Sequence, residues 1–283
     1  VTRDGDNQIH ALYNRCTHRG ATVCRQAKGS TRSFRCPYHG WSYSIAGDLA
    51  GVPWREGYAH NHKEDNRFNL ARIPRVESYR GFIFGTLNLE AAPLVEHLAG
   101  IRKPIDDWLD RHPGGKIAVC EANRMKFKGN WKLAYDNSAD GYHVIFSHRS
   151  LLMMENRFSP DDEKGMSFYK QHPDDGPIRV HYYGNGHHFK DKRPTLANHP
   201  GALWQIEGKH PGMEGYEADL REKYGKEADY YLDLAAGIPM NINVFPNLLI
   251  LGNHIQVLEP LSYTETATTW YGTAVVDEEN ELN

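Results

Sequence analysis

The sequence predicts an α+β protein of two domains, and three observations support this. Its 283 residues exceed the usual size of one ordinary domain. Short runs rich in aromatic and β-branched residues, bounded by glycine and charge, fill the N-terminal part and are typical of β-strands. Helical patterns follow, and strand-like runs fill the C-terminal third. We therefore expect an all-β domain over residues 1–92 and an antiparallel sheet with flanking helices over residues 93–283.

The first domain is expected to contain several short strands. They are expected at 9–15, around Phe34, at 41–45 and at 81–87. Within 41–45 the side chains of Trp41, Tyr43 and Ile45 alternate, and the turn Ala46-Gly47-Asp48 follows. This arrangement predicts a hairpin.

The second domain is expected to begin with helices and to end with strands. Helical patterns cover 90–113, 131–152 with one interruption, and 215–236. The polar stretch 159–212 is too long for chain without regular structure, so a strand is expected near 178–183. Antiparallel strands are predicted at 242–245, 248–251, 255–258 and 266–276.

Composition excludes some functions. A net charge of -3 with 24% charged residues gives no overall basic excess, so a nucleic-acid partner is not expected. Apolar runs are short and interrupted, which predicts no membrane helix. Four cysteines are too few for a disulfide scaffold and favour a reducing, cytoplasmic location.

Four residues of metal-ligand type stand in two short pairs near the N-terminus. The pattern is Cys16-x-His18, seventeen residues, then Cys36-Pro-Tyr-His39. A Rieske-type two-iron, two-sulfur cluster takes two cysteines on one iron and two histidines on the other, which raises its reduction potential. Gly20 and Gly40 follow the pairs and permit tight turns. The spacing predicts two loops that each give one ligand to each iron of a [2Fe-2S] cluster.

A structural zinc site is the alternative, since it also uses two cysteines and two histidines. Common zinc fingers place two cysteines together and then two histidines, whereas each pair here contains one of each. The order therefore favours the cluster. Cys24 and Cys120 lie outside the pattern, are expected to be small buried residues, and are assigned no function. Tyr43 is interpreted as a packing residue, although its hydroxyl could donate a hydrogen bond that tunes the cluster.

A second site is expected where Asp140 is followed by His143 and His148. Two histidines and a carboxylate are the ligands of non-haem iron(II) sites that leave positions open for dioxygen. Residues five apart on an ideal helix differ in direction by roughly 140°, so the two histidines require a break or wide turn between them. Asp140 and His143 are three apart, share a face, and allow the carboxylate to hold the imidazole. Such a histidine pair alone is more often structural, but an electron carrier upstream favours iron.

These motifs resemble the large (α) subunit of Rieske non-haem iron aromatic-ring-hydroxylating oxygenases, and the resemblance covers nearly the whole chain. It rests on CTHRG and CPYHGWSY for the cluster, on NWK and DNSADGYHVIFSH for the iron, and on VFPN at 244–247. The resemblance implies a Rieske domain followed by a catalytic domain with a helix-grip-like sheet. It implies that His143 and His148 bind a mononuclear Fe(II). Asn137 would be a supporting polar residue, and Tyr142 and Trp131 would pack.

The resemblance also implies a mechanism and partners. Electrons from NAD(P)H pass through a flavin reductase, often with a ferredoxin, to the cluster and then to the iron, where dioxygen is activated. In the family the transfer runs between neighbouring subunits, and the aspartate matching Asp140 bridges a cluster histidine and an iron histidine. An α3 assembly, or α3β3 with a small β subunit, is expected.

The two ends of the chain depart from the family pattern. The third iron ligand is expected to be an aspartate beyond VFPN, and no such motif stands before Asn283. The acidic residues Asp277, Glu278, Glu279 and Glu281 fit a solvated turn and are not assigned as ligands. We expect this chain to be an internal fragment of a longer subunit.

The substrate is expected to be a small aromatic acid, converted to a cis-dihydrodiol. Candidate pocket residues are Phe146, Leu151, Met154, Ile250 and His254. Candidate partners for a carboxylate are Arg157, Arg179 and His181. The alternatives are a Rieske monooxygenase, a Rieske electron carrier with an unrelated second domain, and a zinc-stabilised interaction module.

Overall fold

The chain divides into two units, Val1–His97 and Leu98–Asn283, in the computed structural model. The structure describes residues 1–58, 62–148, 150, 178–191, 213–235 and 240–275. The division falls inside the helical stretch 90–113. A domain boundary at residue 92 stays a prediction.

The first unit is built from short antiparallel strands. They are β1 (Thr2–Arg3), β2 (Ile9–His10), β3 (Ser33–Arg35), β4 (Ser42–Ser44), β5 (Leu49–Gly51), β6 (Arg75–Tyr79) and β7 (Phe82–Thr86). β3, β4 and β5 form one sheet, while β1–β2 and β6–β7 form separate pairs. The hairpin expected after 41–45 is confirmed, because β4 pairs antiparallel with β5. Gly47 in its turn has a φ of 96°, which glycine adopts without strain.

The core of this unit contains the two motif cysteines. Its buried side chains are Cys16, Val23, Cys36, Trp41, Tyr43, Leu49 and Leu70. Leu12, Phe34 and Phe68 pack against them. Because the thiols belong to the core, packing of this unit and the predicted ligand positions depend on the same residues.

A helical stretch follows, as the sequence predicts. It consists of α1 (Leu94–Leu98), a 3-10 turn (Ala99–Ile101) and α2 (Arg102–Asp110). Ile105 and Trp108 of α2 are buried, and the Trp108 indole donates a 2.7 Å hydrogen bond to the Gly252 carbonyl. That bond ties α2 to a turn of the sheet in the second unit.

The second unit is organised by a seven-stranded antiparallel sheet in the order β8-β14-β13-β12-β11-β10-β9. Its strands are β8 (Ile117–Lys128), β9 (Arg179–Tyr182), β10 (His188–Asp191), β11 (Met240–Val244), β12 (Leu248–Leu251), β13 (His254–Pro260) and β14 (Glu265–Val275). The strand expected near 178–183 and the four C-terminal strands are confirmed. β8 was not anticipated from the sequence.

The described part of the second unit contains four further helices, of which α3 packs on the sheet. They are α3 (Trp131–Ala139), α4 (Val144–Ser147), α5 (Met213–Tyr224) and α6 (Ala228–Ala235). Tyr135 of α3 packs on Leu249 and Leu258 of the sheet. Within the described ranges, no helix combines the length and the apolar character needed to cross a bilayer.

Candidate metal centres

The two loops of the N-terminal motif have the same backbone design. The Gly20 N–H donates to the Cys16 carbonyl at 2.8 Å, and the Gly40 N–H donates to the Cys36 carbonyl at 3.0 Å. Both glycines have a left-handed backbone, with φ of 73° and 74°. An L side chain is strained in that conformation, which explains glycine at the fourth residue after each cysteine. The loops therefore present their ligands in equivalent ways.

The four predicted ligands converge as a cysteine pair and a histidine pair. Cys16 and Cys36 are buried in the same core cluster and form no disulfide. The rings of His18 and His39 lie 4.6 Å apart between centroids. Each loop thus contributes one residue to each pair. This donor set fits a Rieske cluster, in which one iron takes two thiolates and the other takes two imidazoles.

The surroundings of the His18 side chain also suit a metal ligand. Its Nδ1 is buried and has no hydrogen-bond partner among the described residues. The ring stacks on Trp41 at 4.9 Å with an interplanar angle of 5°, which fixes its plane. Burial, with the nearby His39 and Arg19, lowers the pKa of His18 and favours the neutral imidazole that binds metals. A buried nitrogen without a partner is costly unless a ligand occupies it.

The thiols have polar neighbours of their own. Burial acts to raise the pKa of Cys36, but the backbone N–H groups of Tyr38 and His39, together with Cys16 and the charge of Arg25, lower it overall. The Tyr43 hydroxyl lies 3.1 Å from Cys16 Sγ and is fully buried. Tyr43 is therefore both a core residue and a hydrogen-bonding neighbour of a predicted ligand.

The second predicted site lies where α3 ends and the one-turn helix α4 begins. α3 stops at Ala139, His143 precedes α4, and His148 follows it. The single turn is closed by hydrogen bonds from the Phe146 and Ser147 N–H groups to the His143 carbonyl. Neither histidine lies inside a continuous helix, and their ring centroids are 5.4 Å apart. The interruption expected in 131–152 brings two imidazoles together, as an Fe(II) site requires.

Asp140 holds one of these imidazoles. Its Oδ2 lies 3.0 Å from His143 Nδ1, and its Oδ1 accepts a 2.6 Å hydrogen bond from the Tyr142 N–H. The Tyr142 N–H and the His143 imidazole keep the pKa of Asp140 below its ordinary value, against the effect of burial. With Nδ1 engaged by the carboxylate, Nε2 of His143 is the nitrogen left for a metal.

Two sheet residues that the sequence did not predict, Lys190 and Asn243, hold the end of α3 and the turn that follows it. Lys190 of β10 is buried, and its Nζ donates to the Asp140 carbonyl at 3.1 Å. Asn243 of β11 accepts a 2.6 Å hydrogen bond from the Ser138 hydroxyl and donates to the Tyr135 carbonyl. An asparagine in a short strand that also contains Asn241 is a weak signal in the sequence. Its partners in α3 are about a hundred residues away along the chain, so pattern reasoning could not find them.

The remaining residues predicted near the iron are placed less tightly. Asn137 is exposed on α3, and its side chain forms no hydrogen bond with the described residues. Trp131 packs against Tyr135 and Phe245, as expected. Tyr142 is 78% exposed, and its ring packs against that of Phe146, with 5.7 Å between the two ring centroids. The turn itself is ordered by Asp140, two residues before Tyr142, through the hydrogen bonds of its carboxylate.

No three His, Cys, Asp or Glu side chains in the described part of the chain are grouped closely enough to hold one ion. Two protein ligands per iron are what the cluster requires, and His143 and His148 provide two for the second site. The acidic residues Asp277, Glu278, Glu279 and Glu281 lie outside the described residues. Cys24 is half-buried and Cys120 is exposed, contrary to the expectation that both are buried.

The described candidate pocket residues differ in burial. Ile250 is fully buried, Phe146 is 65% exposed, and His254 stacks on Trp270 at 4.9 Å. His181 packs beside Phe189, and Arg179 is exposed on β9. Leu151, Met154 and Arg157 lie outside the described residues.

Two family models match the chain. The Rieske [2Fe-2S] domain matches residues 1–74, and the catalytic domain of the ring hydroxylating alpha subunit matches residues 115–281. The first match contains all four predicted cluster ligands, and the second contains Asp140, His143 and His148.

Individual relatives agree with these matches. The chain is 31% identical to the toluate 1,2-dioxygenase subunit alpha of Pseudomonas putida, over 96% of this chain and 58% of the relative. It is 32% identical to the N,N-dimethyl phenylurea N-demethylase subunit alpha of Sphingobium sp., over 89% and 52%. Naphthalene 1,2-dioxygenase from Rhodococcus sp., solved with indole, superposes with a TM-score of 0.70 at 28% identity, over 98% and 62%. The chain thus spans between half and two thirds of the length of these proteins.

Proposed function

Because the chain belongs to the ring hydroxylating alpha subunit family and joins that catalytic domain to a Rieske [2Fe-2S] domain, we propose that it is an aromatic-ring-hydroxylating dioxygenase α subunit. The proposed reaction converts a small aromatic acid, dioxygen, two electrons and two protons into a cis-dihydrodiol. The observation that carries the proposal is the histidine pair of the second site: the ring centroids of His143 and His148 lie 5.4 Å apart, and Asp140 orients His143. The same chain also contains the cluster loops.

The proposed roles follow from the contacts. When bound, the cluster supplies single electrons and the mononuclear iron activates dioxygen. Cys16, His18, Cys36 and His39 would hold the cluster, and His143 and His148 would hold the iron. Asp140 keeps the His143 ring in one orientation and one tautomer, and Lys190 fixes the backbone of Asp140. Asn137 is proposed to take part only as a polar neighbour of the iron.

The substrate class is a finer proposal. A relative named for toluate favours an aromatic carboxylate. Arg179 and His181 on β9 offer a cation and a hydrogen-bond donor for it. A Rieske monooxygenase is the second candidate, because a relative of similar identity is named as an N-demethylase. A pure electron carrier is disfavoured, since its second domain has no need of a histidine pair held by a carboxylate.

The proposed partners are a flavin reductase, with or without a ferredoxin, that draws on NAD(P)H. A cytoplasmic location, an α3 or α3β3 assembly and a small β subunit are proposed on the same basis. The exposed carboxylate of Asp140, 48% accessible in the single chain, is compatible with a role at a contact between subunits.

The first experiment is to measure iron, zinc and acid-labile sulfide together with the visible and electron paramagnetic resonance spectra. We expect about three irons and two sulfides per chain, with a Rieske signal. A colourless zinc protein would contradict the proposal. His143→Ala should remove about one iron and leave the cluster signal, whereas exposed Lys132→Ala is the matched control.

Labelled dioxygen then separates the two oxygenase candidates. With the complete electron-transfer chain and a panel of benzoate-type acids, a dioxygenase places two labelled oxygen atoms in the product, and a monooxygenase places one. Product without label, or reduction of the cluster without any product from the panel, would refute ring dihydroxylation.

A further inference from the structure

Two buried polar atoms on strand β14 have no hydrogen-bond partner among the described residues. They are the hydroxyl oxygen of Thr268 and the indole nitrogen of Trp270. The two residues are two positions apart on the strand, so their side chains lie on the same face of the sheet. A buried polar group without a partner lowers stability, and native proteins contain few of them. Two such groups side by side therefore indicate a ligand that supplies the missing partner.

The register of the sheet places both groups on the face that α3 covers. Thr268 pairs with Leu258 of β13, and Tyr135 of α3 packs on Leu258. Trp270 pairs with Gln256, which is two residues from Leu258 and so lies on the same face. Helix α3 ends at the turn that contains the predicted iron histidines. The two groups thus share a face of the sheet with the element that leads into the predicted iron site.

Two residues of β13 complete this polar group. Gln256 is 5% exposed, and its amide nitrogen donates to His254 Nε2 at 3.0 Å. Burial lowers the pKa of His254, which keeps the ring neutral and able to accept this hydrogen bond. The same ring stacks on Trp270 with an interplanar angle of 9°, which fixes the direction of the indole N–H. The Gln256 amide has a second hydrogen that His254 does not use.

The chemistry of these side chains defines the kind of ligand. An indole nitrogen only donates hydrogen bonds, so the partner that Trp270 lacks is an acceptor. Within the described strands β11 to β14, no charged side chain alternates onto this face, because Glu259 and Glu265 lie on the opposite one. The donors on this part of the sheet are therefore neutral. A carboxylate that accepts two or three hydrogen bonds stays ionised without a cation beside it.

The candidate carboxylate partners on β9 lie on the other face of the sheet. His181 pairs with Phe189, and Phe189 pairs with Ile242 of β11. The next residue, Asn243, is hydrogen-bonded to α3, so Ile242 and the residues in register with it face away from that helix. Arg179 alternates with His181 and shares its face. A substrate between α3 and the sheet would meet β13 and β14 rather than these two residues.

We propose that Trp270, Gln256 and Thr268 form the subsite that hydrogen-bonds the acceptor group of the aromatic substrate, which is the carboxylate of the proposed acid. The inference rests on the proposed function and moves the expected carboxylate contact from β9 to β13 and β14. These residues determine specificity and take no part in bond making or breaking. A hydrocarbon would leave the donors unpaired, so the subsite selects arenes that have an acceptor substituent.

The test uses Trp270→Phe and Thr268→Val, which each remove one donor and keep an apolar side chain. Thr269→Val, on the opposite face of β14, is the matched control. Sealed equilibrium dialysis of the anaerobic holoprotein measures Kd for benzoate and its methyl- and amino-substituted derivatives, and for the hydrocarbons with a methyl group in place of the carboxylate. Each variant should bind the acids about tenfold more weakly, as expected for one lost hydrogen bond to a charged group. Binding of the hydrocarbons, and of both kinds of ligand by the control, should change by less than about twofold.

Thermal unfolding without substrate is the second measurement. Trp270→Phe and Thr268→Val should be at least as stable as the unchanged protein, because each removes a buried donor that has no partner. A clear loss of stability would overturn the inference, since the donor would then be satisfied within the fold.

The binding results separate this inference from the proposed function. Equal affinity for the acids in all four proteins, or equal weakening of acid and hydrocarbon binding, would overturn the subsite and leave the oxygenase function standing. The subsite would also fall if the unchanged protein bound none of the acids but hydroxylated another arene. Failure to oxygenate any arene, with both metal centres present, would refute the proposed function and the inference with it.

Discussion

At the scale of single residues, the polar groups at the two predicted metal sites carry the most information. His18, Tyr43 and Asp140 each make a contact that has little value for folding alone but is understandable beside a metal. A hydroxyl at a thiol, a carboxylate at an imidazole and an unpartnered ring nitrogen all restrict how a ligand sits. Their removal should therefore alter the properties of the bound metal more than the stability of the fold.

Tyr43→Phe should lower the reduction potential of the cluster. The hydroxyl lies 3.1 Å from Cys16 Sγ, and a hydrogen bond to sulfur stabilises the reduced, more negative cluster. One hydrogen bond is worth about 1 kcal/mol, which corresponds to roughly 40 mV for one electron. Redox titration followed by electron paramagnetic resonance measures the shift. Tyr13→Phe, at an exposed tyrosine of the same unit, should leave the potential unchanged. An unchanged potential in Tyr43→Phe would show that the hydroxyl bonds only to Thr17.

Asp140→Asn should weaken iron binding. An amide cannot hold the His143 ring as the carboxylate does at 3.0 Å, and loss of such a partner typically costs 10–100-fold in metal affinity. Competition with a chelator, followed by iron analysis, measures the change. Asp136→Asn removes an exposed carboxylate one turn earlier in α3 and is the matched control. Equal iron retention in the two variants would contradict a positioning role for Asp140.

His112, at the end of the α2 stretch, should make the protein sensitive to acid. It is 6% exposed, and burial next to Arg111 lowers its pKa to about 3. The folded state thus keeps His112 neutral, while the unfolded chain takes up its proton near pH 6.5. Stability is complete above that pH and falls as the pH decreases, by about 1.4 kcal/mol per unit down to the folded pKa.

His112→Gln should remove this part of the pH dependence. Between pH 6.5 and 5 the unchanged protein should lose about 2 kcal/mol through this residue, and the variant should not. Urea unfolding at the two pH values measures the difference, and His181→Gln in the same unit serves as the control. The same slope in His112→Gln and the unchanged protein would show that the ring is accessible to solvent protons.

At the scale of elements, β11 positions α3 and therefore Asp140. The Asn243 amide donates to the Tyr135 carbonyl at 2.9 Å, and the Asn241 amide donates to the Ser138 carbonyl at 2.8 Å. The Ser138 carbonyl is one of the last four carbonyls of α3, which lack partners within the helix, and the Asn241 amide satisfies it. The end of α3 is thereby held on the sheet, and the turn that contains Asp140 and His143 starts from a fixed point.

Asn243→Ala should destabilise this contact. It leaves the buried Ser138 hydroxyl and the Tyr135 carbonyl without their amide partner, which costs about 1–3 kcal/mol. Urea unfolding measures the loss, and hydrogen exchange should show the largest increase in 131–143. Asn253→Ala, at an exposed turn between β12 and β13, should change stability by less than about 0.5 kcal/mol. A uniform increase in exchange across the sheet would argue against a local role for Asn243.

The elements also show what sequence reasoning could and could not predict. Strands β11 to β14 were predictable because clear turn residues separate them. The loops at Cys16 and Cys36 were predictable because few other kinds of site have this ligand spacing. β8 was not, because its side chains are exposed along almost its whole length and its sequence, IAVCEANRMKFK, lacks the alternation of a half-buried strand. β8 forms a strand because it pairs with β14, which lies far from it along the chain. Lys190 was missed for the same reason, since burial of a lysine follows from tertiary contacts alone.

At the scale of the whole molecule, the two units differ in how much they should depend on metal. The core of Val1–His97 includes Cys16 and Cys36 among its few buried side chains, with His18 stacked on Trp41 beside them. The core of the second unit is formed by the apolar side chains of a seven-stranded sheet and its helices, while His143 and His148 lie at its periphery. Metal binding should therefore contribute to folding in the first unit and act mainly at the site in the second.

Removal of the cluster should consequently unfold or loosen the first unit alone. Without iron and sulfide, two buried thiols and the buried His18 Nδ1 lose their partners, and a core of this size has little other stabilisation to offset the loss. Anaerobic treatment with a strong chelator, followed by hydrogen exchange, should show protection lost in residues 10–55 and kept in 240–275. Mild chelation that removes only the mononuclear iron should leave both regions protected. If residues 10–55 stayed as protected after removal of the cluster as before, the apolar core alone would be sufficient to fold the first unit. The cluster would then bind to a site that is already folded without it.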